Sequence, residues 1–126
     1  NNIMFLGNLN EHEMCTRYLN SHIFVCPSSI ENSPNSVGEA MILGVPTITS
    51  DVGGVKNLLN RGEEGYIFPS DEAYMLAYYI LEIFSNDNIA IKVSKNAKIK
   101  ASQIHNRNQN NIQLVNIYKN VLEKEL

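Results

Sequence analysis

Glu31 and Glu39 are separated by seven residues, and the stretch between them carries the end of a loop into the start of a helix expected over Ser36 to Leu43. A carboxylate accepts hydrogen bonds and donates none, so a glutamate suits the hydroxyl groups of a ligand. Between the two acids the loop runs into the Ser36 helix, whose start presents backbone amides. The first N–H groups of a helix have no intrahelical partner and lie at the positive end of its dipole, which accommodates a phosphate without a basic side chain. An acid beside a diphosphate is repelled, so the two glutamates are expected to serve the uncharged ends of the ligand. A nucleotide sugar has such ends on both sides of its phosphates. A second loop, Ser50-Asp51-Val52-Gly53-Gly54, also qualifies as a ligand loop, although its glycine pair taken alone reads as a turn.

Other polar residues offer weaker chemistry. His12, His22 and His105 are widely spaced and have no partner at nucleophile or metal spacing, so they are read as surface or packing residues. No metal site is expected, and no cofactor. Lys56 has the reach to meet a phosphate, but a solvated side chain is the simpler reading. Cys15 and Cys26 match no metal or redox spacing and are taken as free thiols of a reducing compartment, with Cys26 a small buried hydrophobe at a strand end. A cytosolic location is expected from this.

The elements that must position the two loops follow an α/β pattern. Short apolar runs at Ile3 to Leu6, Ile23 to Cys26, Thr47 to Thr49 and Tyr66 to Phe68 alternate with stretches of helical period. The expected fold is a Rossmann-like parallel sheet of about four strands with flanking helices. Ligands of such sheets bind outside the carboxyl ends of the strands, where both loops fall. Glu11 to Asn20 reads as a crossover helix. Gly44 and Pro46 stop the Ser36 helix, and a short helix is expected after Gly54. Ser70 or Asp71 is expected to cap a helix whose Ala73, Leu76, Ala77, Ile80, Ile83 and Phe84 face the core, with Tyr74, Tyr78 and Tyr79 packing on its flanks. Asp87 opens a helix with Ala90, Val93, Ala97, Ala101 and Ile104 along one side and Lys92, Lys95 and Lys98 on a solvated face. A polar break over Asn106 to Asn111 precedes a final amphipathic helix, Ile112 to Leu122.

With 126 residues, 44% of them hydrophobic, the chain can bury one core and is treated as a single domain. The net charge of −3 and the scattered lysines provide no basic stripe for nucleic acid. No apolar run approaches the roughly 18 residues of a membrane span, which leaves association with a membrane surface open. A strand beginning at Ile3 without a preceding cap or linker points to a piece of a longer polypeptide.

Pro27-Ser28-x-x-Glu31, Glu39-Ala40-Met41, Gly44-x-Pro46, Ser50-Asp51-x-Gly53-Gly54 and Gly62-x-x-Gly65-Tyr66-Ile67-Phe68-Pro69 occur here in one order. In that order they resemble the GT-B glycosyltransferases of family 4, the large retaining group, over nearly the whole chain. The resemblance implies that residues 1 to 126 are a partial carboxyl-terminal, donor-binding domain of a retaining enzyme that moves a hexosyl-type sugar from a nucleoside diphosphate donor without a metal. It implies that Glu39 binds the donor ribose and that Glu31 contacts the transferred sugar as the catalytic-site acid. Ser33, Asn35, Ser36 and Val37 would hold sugar and diphosphate through main-chain amides, with Gly53 and Gly54 closing on them. An arginine and a lysine that clamp the diphosphate, two strands of the sheet and an amino-terminal acceptor domain would lie upstream. The missing amino-terminal domain is thus an expected partner, and the fragment itself is expected to be inactive and to close the gap in its sheet either by re-pairing or by self-association, since a bare parallel edge is aggregation-prone. Asn32 and Ser33 replace the family's usual glycine and aromatic residue, and Lys56-Asn57 its usual Pro-Glu. Sugar specificity is the property those departures touch. Two other readings fit the architecture: a sugar-nucleotide epimerase or phosphorylase, and a non-catalytic flavodoxin-like interaction domain. The donor base, the sugar and the acceptor are not written in these motifs.

Overall fold

The computed structural model describes residues 2–124 and shows an α/β arrangement built on a parallel three-stranded sheet. Helix α1 (Glu11–Leu19) leads to β1 (Phe24–Cys26), then α2 (Asn35–Leu43), β2 (Thr47–Ser50), α3 (Val55–Leu58) and β3 (Tyr66–Phe68). Three helices follow: α4 (Ala73–Ser85), α5 (Asp87–Ile104) and α6 (Arg107–Lys124). The strands lie in the order β1-β2-β3, with Val25 opposite Ile48 and Thr49 opposite Ile67. The central strand β2 is wholly buried, as a parallel strand covered on both faces must be.

Both faces of the sheet are packed. On one, Val37 and Met41 of α2 meet Ala97 and Ala101 of α5 with Leu58 and Leu59. The alanines let the two helices come close, and Gly38 does the same: a Cβ there would stand 2.7 Å from the His105 ring. On the other face, Ile48, Tyr66 and Phe68 meet Tyr79 and Ile83 of α4 and Val93 of α5. The predicted core side of α5 is confirmed at Val93, Ala97 and Ala101.

Several expectations are corrected. Ile3 to Leu6 forms no strand, and Ile3, Met4 and Phe5 are exposed. A strand needs a neighbour for its backbone groups, and among the described residues none runs beside this segment. The core side of α4 is rotated from the predicted stripe: Tyr79 and Ile83 are buried, whereas Ala73, Ala77 and Phe84 are exposed. Tyr79 is therefore a core residue, its ring stacked on Tyr66 with centroids 4.6 Å apart. Phe84 instead stacks on His22 at 5.5 Å. Neither Ser70 nor Asp71 caps α4, because the turn closed by Glu72 N–H to the Pro69 carbonyl moves the helix start to Ala73. The polar break is only two residues long. The Asn106 side chain accepts from the Gln109 amide and so starts α6 at Arg107 within the asparagine run. The apolar residues of α6 are exposed along its length, as no described element packs upon it. No helix among the described residues is long and apolar enough to cross a membrane.

Candidate functional site

The loop from Pro27 to Pro34 leaves the carboxyl end of β1 and runs directly into α2. Its base is tied to the sheet by Ser50, whose buried hydroxyl donates to the carbonyls of Cys26 and Ser28. Ser28 then donates its hydroxyl hydrogen to Glu31 Oε1 at 3.1 Å. Residue by residue, the end of β2 thus sets the loop after β1, and that loop orients a half-buried glutamate.

The glycine pair lies against the same loop. The Gly54 amide donates to the Asn32 carbonyl at 2.6 Å, and Gly53 holds φ at 53°. A Cβ on Gly53 would stand 1.9 Å from the Glu31 carbonyl oxygen, and one on Gly54 would stand 2.7 Å from that of Asn32. These neighbours are backbone and cannot swing aside. Only glycine permits this approach, as anticipated from the sequence. Lys56 points to Asp51 at 3.0 Å in a solvent-exposed ion pair, an arrangement worth little energetically.

At the start of α2 the N-cap is Pro34, which offers no side-chain acceptor, and the first turn contains no acid. The Val37 amide donates to the Pro34 carbonyl at 3.2 Å, whereas the amides of Asn35 and Ser36 find no acceptor among the described residues. Ser33 and Asn35 are exposed and Ser36 half-buried, so among the described residues no side chain covers the helix tip. Glu31 flanks the tip on the side of the Gly53 loop. Glu39, one turn into the helix, flanks it on the side of α1.

Glu39 is held by a residue of α1 that is not among the site residues expected from the sequence. The Tyr18 hydroxyl is placed to donate to Glu39 Oε2 at 3.3 Å and to the Ser36 carbonyl at 3.4 Å. The Tyr18 ring is buried edge-on against Phe24, with centroids 5.2 Å apart. Burial, and secondarily the Glu39 carboxylate, push this phenol up to about 12, so it stays a donor at neutral pH. Next to Glu39, a groove of about 450 Å³ runs between α1 and α2, lined by Leu9, Asn10, Met14, Cys15, Ile42 and Leu43. It is mainly apolar with a carboxylate and an amide at its rim, the character of a small-molecule site. No cluster of three or more His, Cys, Asp or Glu side chains suited to a metal occurs among the described residues. Both cysteines are free, Cys26 buried and Cys15 partly so.

Comparison with known proteins identifies the architecture. Residues 1–100 match the family of group 1 glycosyl transferases. The amylovoran biosynthesis glycosyltransferase AmsK of Erwinia amylovora is 28% identical over 102 residues, covering 75% of this chain and 25% of that protein. The sucrose-phosphate synthase of Thermosynechococcus elongatus superposes with a TM-score of 0.84 at 26% identity, over 96% of this chain and 30% of its own. HepE of Anabaena, solved with UDP and glucose, shares the fold at a TM-score of 0.80 and 22% identity, over 92% of this chain and 32% of that one. The chain spans about a quarter to a third of the length of these relatives. With the family matched over most of its length and the fold matched throughout, this chain belongs to the group 1 glycosyl transferases.

Proposed function

We propose that this chain is the donor-binding part of a retaining, metal-independent glycosyltransferase of family 4 that moves a hexosyl-type sugar from a nucleoside diphosphate to an acceptor. The observation that carries the reading is the open tip of α2, with free amides at Asn35 and Ser36 between Glu31 and Glu39. In this reading the diphosphate sits on those amides, with Ser33 beside them; the Val37 amide, which the resemblance also implied as a donor, is already taken by the Pro34 carbonyl. Glu39 accepts from the ribose hydroxyls while the apolar groove beside it receives the base. Glu31 meets the transferred sugar, and Gly53 and Gly54 fix its loop. The donor complexes of HepE support the choice of ligand class. The basic diphosphate clamp is assigned to segments upstream of this chain and the acceptor site to an amino-terminal domain of the full-length enzyme, so this chain alone binds weakly and does not turn over.

Calorimetric titration of the chain with UDP and GDP tests the proposal. One of them binds, and Glu39→Gln weakens that binding by about 1.5–3 kcal/mol, the range of a hydrogen bond to a charged group. Failure of both nucleotides to bind, or an affinity unchanged by the substitution, overturns it.

A further inference from the structure

A second polar cavity lies at the opposite end of the sheet from the donor loops. Tyr66 opens β3 and Phe68, paired with Ser50, ends it beside those loops, so the surroundings of Tyr66 face the other way. There Arg61, Tyr66, Tyr78, Tyr79, Glu82 and Lys92 line an open depression of about 520 Å³. Tyr79 is 2% exposed, yet its hydroxyl has no hydrogen-bond partner among the described residues. A buried hydroxyl without a partner costs free energy, and native chains seldom keep one without a use. The Arg61 guanidinium lies 5.1 Å over the Tyr79 ring and makes no ion pair among the described residues. The Tyr78 ring meets Tyr79 edge-on at 5.5 Å and is more than half exposed.

The chemistry of the lining selects among ligands. A cation would meet Arg61 and Lys92, and a simple anion would meet Glu82. A purely apolar ligand would leave the Tyr79 hydroxyl unsatisfied. A sugar ring answers all three objections, since its C–H faces pack on phenol rings while its hydroxyls both donate to Glu82 and accept from Arg61 and Tyr79. Burial raises the Tyr79 phenol, and burial followed by Glu82 pushes Tyr66 up to about 12, so both remain protonated donors.

We propose that this depression is a second carbohydrate site, in which one unit of a glycan strand packs on Tyr78 and hydrogen-bonds to Tyr79 Oη, Arg61 and Glu82. It rests on membership of the glycosyl transferase family and is independent of the donor-site reading. The test is a chemical-shift titration of the ¹⁵N-labelled chain with mannotriose, maltotriose and cellotriose at millimolar concentration. At least one of them shifts amides of residues 61–66 and 78–82 and spares residues 31–39. Tyr78→Ala abolishes those shifts. Tyr79→Phe keeps the ring in the core and removes only the hydroxyl; it leaves the chain folded and weakens the sugar by about two- to ten-fold, one hydrogen bond's worth. Absence of shifts with all three sugars, or affinities unaltered in both variants, overturns the proposal. A parallel titration with UDP and GDP separates the two sites: sugar binding with neither nucleotide bound sinks the donor reading and leaves this one standing.

Discussion

Tyr18 and Glu39 are joined across the contact of α1 and α2 by one phenol hydrogen, at 3.3 Å. The phenol ring is anchored in a buried edge-on contact with Phe24, so the carboxylate is oriented from the core outward. Tyr18→Phe keeps the ring and removes the tether. Urea unfolding is expected to show a loss of about 0.5–1.5 kcal/mol, and nucleotide affinity to fall by about two- to five-fold because Glu39 must then be ordered by the ligand itself. A nucleotide affinity equal to that of the parent chain would deny Tyr18 a positioning role.

Glu31 and Glu39 face different ends of the proposed ligand and should separate in experiment. Glu31→Gln retains an oxygen that can accept from Ser28, so the loop keeps its shape. Affinity for the free nucleoside diphosphate is expected to stay at the parent value. The additional affinity conferred by a hexose on that diphosphate is expected to disappear. Titrations with UDP and UDP-glucose, or GDP and GDP-mannose, measure both, and an equal loss for nucleotide and nucleotide sugar would move Glu31 away from the sugar.

Gly53 and Gly54 fail for different reasons when a methyl group is added. Gly53→Ala combines a left-handed backbone, about 1–2 kcal/mol for an L-residue, with a collision against the Glu31 carbonyl. Gly54 has an ordinary φ of −86°, so its alanine variant meets only the Asn32 carbonyl and loses less stability. Thermal unfolding of both variants should place Gly53→Ala lower. The reverse order would mean that the loop relaxes around residue 53.

The sequence discloses most where a residue's role depends on its immediate neighbours. Gly44 stops α2 with φ at 77°, and Gly53-Gly54 admit a close backbone; both are local necessities that residue type reveals. The apolar runs Ile23 to Cys26, Thr47 to Thr49 and Tyr66 to Phe68 likewise mark strands that are paired here, with bounds within one residue of Phe24–Cys26, Thr47–Ser50 and Tyr66–Phe68. Ile3 to Leu6 has the same composition without a neighbour to pair with, and composition carries no information about what lies alongside. Tyr79 reads as a flank residue in the sequence because a helical stripe can be rotated by one residue at little cost in periodicity. Its burial is decided by Tyr66, thirteen residues earlier, against which it stacks. Tyr18 belongs to the same class, since its partner Glu39 is on another helix. The hydrogen bond that the Gln109 amide donates to the Asn106 side chain makes a helix start of a run of asparagines whose polarity reads as a break.

Two buried phenols give the chain an alkaline limit. Tyr18 and Tyr66 are both pushed up from 10 to about 12, chiefly by burial and then by Glu39 and Glu82 respectively. A raised phenol in the folded state means that the native chain holds its proton at pH values where the unfolded chain has released it. The stability this contributes is whole below pH 10 and is lost as pH rises from about 10 through about 12. The slope is at most about 1.4 kcal/mol per pH unit for each tyrosine. Urea midpoints measured across that interval should therefore fall steeply in the parent chain. Each of Tyr18→Phe and Tyr66→Phe should flatten the fall, because phenylalanine has no proton to lose. A parent chain whose midpoint held level to pH 12 would mean that these hydroxyls reach water in the folded state.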